Sequence, residues 1–233
     1  MTKSSILRKL EGGDRRSIGR SSEVVTEVLA NPELFSALFA GLFADDPVVR
    51  ARAADAVEKI SVIHPEYLRP YKSKLLGQLA RGDQKEVRWH IAQMLPRLHW
   101  TQREQQQVCE ILKSYLHDTS SIVKSFAMQA LADLAQQRPA LRPAVLRQLQ
   151  DLTASGTPAM RARGRKLLAE LGSRPRRSTG RAQGRRGKVE ETAVRRRAGI
   201  YCGACEGCKG SEWKFRTDPE IADVHWGAMF PAP

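Results

Sequence analysis

VRARAADAVEKI, which occupies residues 49–60, indicates the fold because three related stretches follow it along the chain. They read VRWHIAQMLPRL at 87–98, VKSFAMQALADL at 123–134 and MRARGRKLLAEL at 160–171, with starting points 38, 36 and 37 residues apart. In every copy the first residue is apolar, the fifth is small or apolar, and the ninth and twelfth are aliphatic. Because these positions share one face of a helix, the sequence predicts four amphipathic helices of one kind.

Helix-start signals surround these copies. Asp46 and Thr157 each place a capping oxygen before a proline, and Thr101 with Glu104 forms a capping box. Further helical segments are predicted between the copies, and two prolines inside them are expected to kink those helices or delay their start, namely Pro70 and Pro143. We therefore predict an all-α fold of repeated helix–turn–helix units.

The period, the paired helices and the opening DDPVVR at 45–50 resemble HEAT repeats. The resemblance covers about residues 22–171 and implies a right-handed, armadillo-like α-solenoid of about four helix pairs, whose second helices line a concave face. EVRWHIAQMLPRL and GTPAMRARGRKLL are also similar to small bacterial HEAT proteins of undefined role. That similarity implies a bacterial origin and no particular chemistry.

Composition divides the chain further. It has 233 residues and a net charge of +14, of which residues 1–171 carry +8, residues 172–200 carry +8 and residues 201–233 carry −2. We predict an N-terminal lead-in at 1–21, the solenoid at 22–171, a disordered Arg-rich linker at 172–200 and a Cys/aromatic tail at 201–233. Without a long apolar run or an export signal, we expect a cytoplasmic protein with no membrane partner.

One residue of each copy, the second, is basic: Arg50, Arg88, Lys124 and Arg161. These side chains are expected either to bond acidic or carbonyl groups of a neighbouring unit, which we favour, or to form a basic groove for an acidic peptide or a phosphate backbone. The resemblance to HEAT repeats implies that nearby residues face the groove. Our candidates for partner binding are Arg52, Trp89, His90, Arg163 and Arg165. A solvated surface role is an equal alternative for the three arginines. Trp89 is alternatively a residue that fills a gap between helices.

Catalytic motifs are absent from the sequence: it has no Gly-rich phosphate loop, no GxSxG and no HExxH. Cys109 falls in an apolar helical pattern and is expected to be a small buried residue. We therefore expect a non-enzymatic scaffold or adaptor that binds a protein partner on its concave face.

The Arg-rich linker favours a different function. Clustered arginines release counterions from a polyphosphate, so the linker predicts a nucleic-acid-associated protein, although a solvated tether has the same composition. The residues concerned are Arg176, Arg177, Arg185, Arg186, Arg195, Arg196 and Arg197.

The tail favours a third function. Cys202, Cys205 and Cys208 form a C-x2-C-x2-C run, and His225 would complete a Cys3His set for zinc. A metal- or redox-responsive regulator is the corresponding hypothesis, and a free, oxidisable thiol cluster is the alternative. No other cofactor is indicated.

Overall fold

The computed structural model describes residues 3–13 and 17–172, together with the backbone of two short strands at 201–202 and 215–216. Across 3–13 and 17–172 every regular element is helical, which confirms the all-α prediction for that part of the chain. None of the helices described there is long and apolar enough to cross a membrane. The chain divides into two compact units, Met1–Ser173 and Arg174–Pro233.

Ten α-helices lie in the described residues of the first unit. They are α1 (Lys3–Arg8), α2 (Ser21–Ala30), α3 (Phe35–Ala40), α4 (Pro47–Ile63), α5 (Lys72–Lys74), α6 (Lys85–Met94), α7 (Gln102–Tyr115), α8 (Ser121–Gln137), α9 (Arg142–Ser155) and α10 (Pro158–Gly172). Short 3-10 turns flank them at Pro32–Leu34, Gly41–Phe43, Pro65–Tyr71, Leu95–Arg97 and Pro139–Leu141, and a π turn spans Leu75–Leu79.

The even-numbered helices from α2 to α10, here called the even helices, pack each on the next along the chain. The first, third and fourth copies of the repeated stretch lie in α4, α8 and α10, and the second begins in α6 and ends after the 3-10 turn Leu95–Arg97. Their aligned apolar residues are buried, apart from the half-buried Leu168. Of the helices that precede them, α3 packs on α4, α7 on α8 and α9 on α10. Two further helices, α1 and α2, precede the first copy, and the sequence pattern did not predict either of them.

The helix starts follow the local signals. Asp46 caps α4, since its carboxylate accepts a hydrogen bond of 2.7 Å from the Val48 backbone N–H. The capping box before α7 is complete: the Thr101 N–H donates to Glu104 at 2.8 Å, and the Glu104 N–H donates to the Thr101 hydroxyl at 3.3 Å. Both signals are thus confirmed.

Prolines shape the helices between the copies, as the sequence predicts. Pro70 lies inside the 3-10 turn Pro65–Tyr71, which leaves α5 only three residues long. Pro143 stands in the first turn of α9, where its missing N–H costs no hydrogen bond. The expected late or kinked starts are confirmed for both segments.

Most of helix α4 is buried. Twelve of its 17 residues are buried, and four of those twelve are charged. Burying a charge is costly unless it is paired and hydrogen-bonded, so the partners of these four side chains define the polar interior described below.

In the second unit the described backbone forms one antiparallel pair. Strand β1 (Tyr201–Cys202) pairs with β2 (Phe215–Arg216), so that Tyr201 lies opposite Arg216 and Cys202 opposite Phe215.

Candidate functional site

Polar side chains follow one face of the even helices that carry the repeat. Counted from the first residue of each copy, this face holds positions 4, 7 and 11, which lie three and four residues apart and therefore line up on a helix. We call these twelve residues the polar stripe. They are Arg52, Asp55 and Lys59 on α4; His90, Gln93 and Arg97 in the second copy; Phe126, Gln129 and Asp133 on α8; and Arg163, Lys166 and Glu170 on α10.

Arg52 holds the N-terminal lead-in against α4. Its side chain is 4% exposed, and its guanidinium donates to the carbonyls of Leu10 (2.8 Å), Glu11 (3.1 Å), Gly12 (2.7 Å) and Ser17 (3.0 Å). The sequence predicts Arg52 as a partner-binding residue on an open groove. The structure instead places it beneath the lead-in, because the guanidinium satisfies backbone acceptors of the chain itself.

The next two members of the stripe form a buried ion pair. Lys59 Nζ lies 2.8 Å from Asp55 Oδ2, and both residues are buried. The Ser21 hydroxyl of α2 also donates to Asp55. The pair thus joins α4 to α2, and its charges compensate each other inside the protein.

A second ion pair joins the first and second copies. The Arg97 guanidinium pairs with the Glu58 carboxylate of α4, and it also donates to the Glu58 carbonyl at 2.7 Å and the Ser61 hydroxyl at 2.6 Å. Because Glu58 is nearly buried, losing Arg97 would leave an uncompensated carboxylate.

His90 lies between these two pairs without a hydrogen bond of its own at Nδ1. The residue is 9% exposed, and Nδ1 is buried with no partner among the described residues. Burial lowers the pKa of His90, against the opposing effect of the nearby Asp55 and Glu58 carboxylates. Burial therefore favours the neutral form of the imidazole. The Trp89 ring packs against the His90 ring in an edge-to-face arrangement, with 5.5 Å between the ring centroids.

At the other end of the stripe, Arg163 contacts the preceding copy. Its guanidinium donates to Gln129 Oε1 at 3.0 Å, and Gln129 in turn donates to Asp133 at 3.0 Å. Arg163 is 8% exposed, and burial lowers the pKa of its guanidinium.

Arg165, in contrast, is exposed on α10 and lies outside the stripe. The structure brings Trp89 and His90 together, while Arg52 and Arg163 lie on α4 and α10 with two even helices between them.

The basic residues at the second position of each copy bond mostly within the protein. Arg50 donates to Gln84 at 2.8 Å and to the Ala44 carbonyl at 2.7 Å. Arg88 donates to Asp118 at 2.6 Å and to the Gly82 carbonyl at 3.0 Å. The predicted bonds to a neighbouring unit are confirmed for these two, so neither arginine belongs to an open basic groove.

At positions 7 and 11, exposure of the stripe increases along the chain. These residues are buried on α4, half-buried in the second and third copies and exposed on α10, whereas all four residues at position 4 are buried. The accessible charges alternate in sign, since they come from Arg97, Asp133, Lys166 and Glu170. The accessible stripe therefore offers a mixed polar surface.

Trp100 and Cys109 lie near the start and in the middle of α7. Trp100 is buried, and its indole N–H donates to the Leu95 carbonyl at 2.7 Å. Cys109 is half-buried rather than buried, and Gln105 Nε2 lies 3.8 Å from its sulfur.

The remaining predicted sites lie outside the described residues. This applies to the seven linker arginines and to Cys205, Cys208 and His225, while of Cys202 only the backbone is described. In the part of the chain that the structure does describe, no group of three or more His, Cys, Asp or Glu side chains could hold a metal ion.

Several members of the polar interior were missed at the level of sequence, namely Ser21, Asp55, Glu58, Lys59 and Arg97. A signal for three of them was present: positions 7 and 11 are polar in all four copies. Ser21 and Glu58 stand outside that pattern.

Comparison with known proteins gives information about the fold and none about the function. No protein-family model matches the chain. No curated protein matches it significantly either. The chain is similar to the crystal structure of an engineered protein from the Northeast Structural Genomics Consortium, with a TM-score of 0.51 and 16% sequence identity, over 73% of this chain and 79% of that one.

Proposed function

We propose that residues 22–171 form a HEAT-repeat solenoid and that the protein is a non-enzymatic adaptor of the bacterial cytoplasm, which binds a protein partner along the polar stripe. The observation that carries the proposal is the recurrence of polar side chains at positions 4, 7 and 11 of all four copies except for Phe126. Such a row on consecutive stacked helices suits an extended partner that contacts several repeats at once.

The charges of the accessible stripe favour a protein over a polyphosphate. Asp133 and Glu170 would repel phosphate groups, whereas a folded protein surface offers charges of both signs. Lys166 supplies a complementary positive charge, whereas the Arg97 guanidinium is already paired with Glu58. The arginines at 50, 52 and 88, which would make a groove basic, bond groups of the chain itself.

The proposal is tested by affinity capture from the native cell with tagged full-length protein. The test variant is Gln93→Lys/Asp133→Lys, which changes two half-buried stripe residues on different helices. Its matched control is Gln150→Lys, an exposed residue of α9 outside the stripe. We expect a partner that is retained by the wild type and the control and lost by the stripe variant. Identical sets of captured proteins for all three would contradict the proposal.

A second candidate function is association with nucleic acid through the Arg-rich linker. It is favoured by the ten Lys/Arg against two Asp/Glu in residues 172–200. Deleting residues 172–233 should then abolish salt-sensitive binding to duplex DNA or RNA. Binding that survives the deletion would move this function to the helical unit.

A further inference from the structure

Helices α4, α6 and α8 each contact the following even helix through a defined face. Glu58, at position 10 of the first copy, pairs with Arg97 of the second. Met128, at position 6 of the third copy, has its methyl carbon 3.3 Å from the place where a Cβ on Gly164 of α10 would stand. We call positions 3, 6 and 10, which share one side of the helix, the outgoing face.

Within residues 47–172, the outgoing face is buried in three copies and exposed in the fourth. At positions 3, 6 and 10, all nine residues of the first three copies are buried, namely Ala51, Ala54, Glu58, Trp89, Ala92, Pro96, Ser125, Met128 and Ala132. The equivalent residues of α10 are Ala162, Arg165 and Ala169, and all three are exposed. Among the described residues, the fourth copy thus exposes a face of the kind that packs against a helix in every earlier copy.

The outgoing face of α10 combines exposed basic residues with small ones. Arg165 stands where the earlier copies have Ala54, Ala92 and Met128, and Lys166 lies beside it at the rim. A third exposed cation, Arg161, lies one turn before Arg165. The whole last helix pair, residues 138–172, has seven Lys/Arg against two Asp/Glu. Ala162 and Ala169, in contrast, are small and leave room for a close approach.

We propose that the outgoing face of α10 binds an acidic amphipathic helix of another protein. The ligand is a helix because the three equivalent faces each pack against one, and short side chains at Ala162 and Ala169 let two helix backbones approach. It is acidic because the cations of the face need carboxylates opposite them when they lose water. This surface is separate from the accessible part of the polar stripe except for Lys166, so the proposal does not rest on the partner bound there.

A designed peptide pair tests the proposal on the full-length protein. The probe is a fluorescein-labelled helical peptide with Ala and Leu along one face and Glu flanking it, and its twin carries Gln in place of Glu. Binding is followed by fluorescence anisotropy. We expect the Glu peptide to bind about tenfold or more tightly than the Gln twin, which corresponds to about 1.4 kcal/mol.

Three variants locate the binding. Arg165→Glu should weaken the Glu peptide about tenfold by replacing attraction with repulsion. Ala169→Trp should weaken it comparably, because a bulky ring prevents close approach of a helix. Arg147→Glu, an exposed arginine of α9, is the matched control and should change binding less than about twofold. Circular dichroism checks that each variant keeps the helix content of the wild type.

Each of the other occupants gives a result that would overturn the proposal. Absence of binding by the Glu peptide would show that the basic face is only a polar cap of the repeats. If Arg147→Glu and Arg165→Glu weaken the binding of the Glu peptide equally, the peptide is attracted by the net charge of the protein and not by the outgoing face. Duplex DNA that binds in a manner sensitive to Arg165→Glu but not to Ala169→Trp would identify a nucleic-acid surface. Self-association lost in Arg165→Glu by sedimentation would identify a second copy of the chain. We expect the stripe variant Gln93→Lys/Asp133→Lys to bind the Glu peptide as the wild type does. A failure of the polar-stripe proposal can then be told apart from a failure of this one.

Discussion

Replacing Arg52 by alanine should release the N-terminal lead-in from α4. Four backbone carbonyls, those of Leu10, Glu11, Gly12 and Ser17, receive hydrogen bonds from this one guanidinium at 2.7–3.1 Å. A hydrogen bond to a charged group contributes about 1.5–3 kcal/mol, and a buried acceptor left without a partner costs about 1–3 kcal/mol.

The expected loss is smaller than the sum of these contributions. Once the guanidinium is gone, the lead-in can detach and its carbonyls can bind water, so the loss is limited to the stability that the lead-in adds. That contribution includes Leu10 and Ile18, which are 0% and 7% exposed. We expect the free energy of unfolding to fall by about 2–4 kcal/mol.

Urea unfolding measures the change in stability, and hydrogen exchange locates it. Exchange at Leu10 and Ile18 should accelerate in Arg52→Ala, while exchange in α8 should follow only the global loss. Arg147→Ala, on an exposed face of α9, is the control and should cost less than about 0.5 kcal/mol. An Arg52→Ala protein that unfolds at the wild-type urea concentration, with unchanged exchange at Leu10, would refute the assigned role of Arg52.

Three further predictions concern single side chains. Because burial lowers the pKa of His90, the unfolded state binds more protons than the native state. The free energy of unfolding should therefore fall as the pH drops below about 6.5, and His90→Phe should flatten that decrease in urea titrations; equal slopes would contradict it. Thr101→Ala should cost about 1 kcal/mol by removing the cap of α7, whereas Thr119→Ala, exposed in the following turn, should be near neutral in the same assay. Tyr115→Phe should cost about 1 kcal/mol, since the Tyr115 hydroxyl donates to the buried Ala80 carbonyl at 2.8 Å; an unchanged thermal midpoint would argue against that bond.

Local signals explain which helices the sequence could predict. The even helices α4, α6, α8 and α10 carry a shared apolar pattern, and caps such as Asp46 and Thr101 act within three residues of themselves. The helices α1 and α2 escaped prediction because neither repeats that pattern. α1 has only six residues, and α2 owes its burial to Val24 and Val28 against α4 rather than to a motif.

The candidate site was harder to predict because most partners are distant in sequence or lack a side-chain signature. Arg88 could be assigned a structural role because its partner, Asp118, is an acidic residue visible in the sequence. Arg52 bonds carbonyls 35 to 42 residues earlier, and every residue has such a carbonyl. His90 was selected because the resemblance to HEAT repeats implies that residues near Arg88 face the groove, whereas its burial near two ion pairs depends on how α4 and α6 pack.

The affinity of a purified partner for the polar stripe tests the central claim most directly. Once capture has identified the partner, isothermal titration compares the wild type, Gln93→Lys/Asp133→Lys and the Gln150→Lys control. We predict an affinity loss of about tenfold or more for the stripe variant, about 1.4 kcal/mol or more, and a wild-type value for the control. Equal affinities for all three proteins would contradict the account, because the partner would then bind elsewhere on the chain.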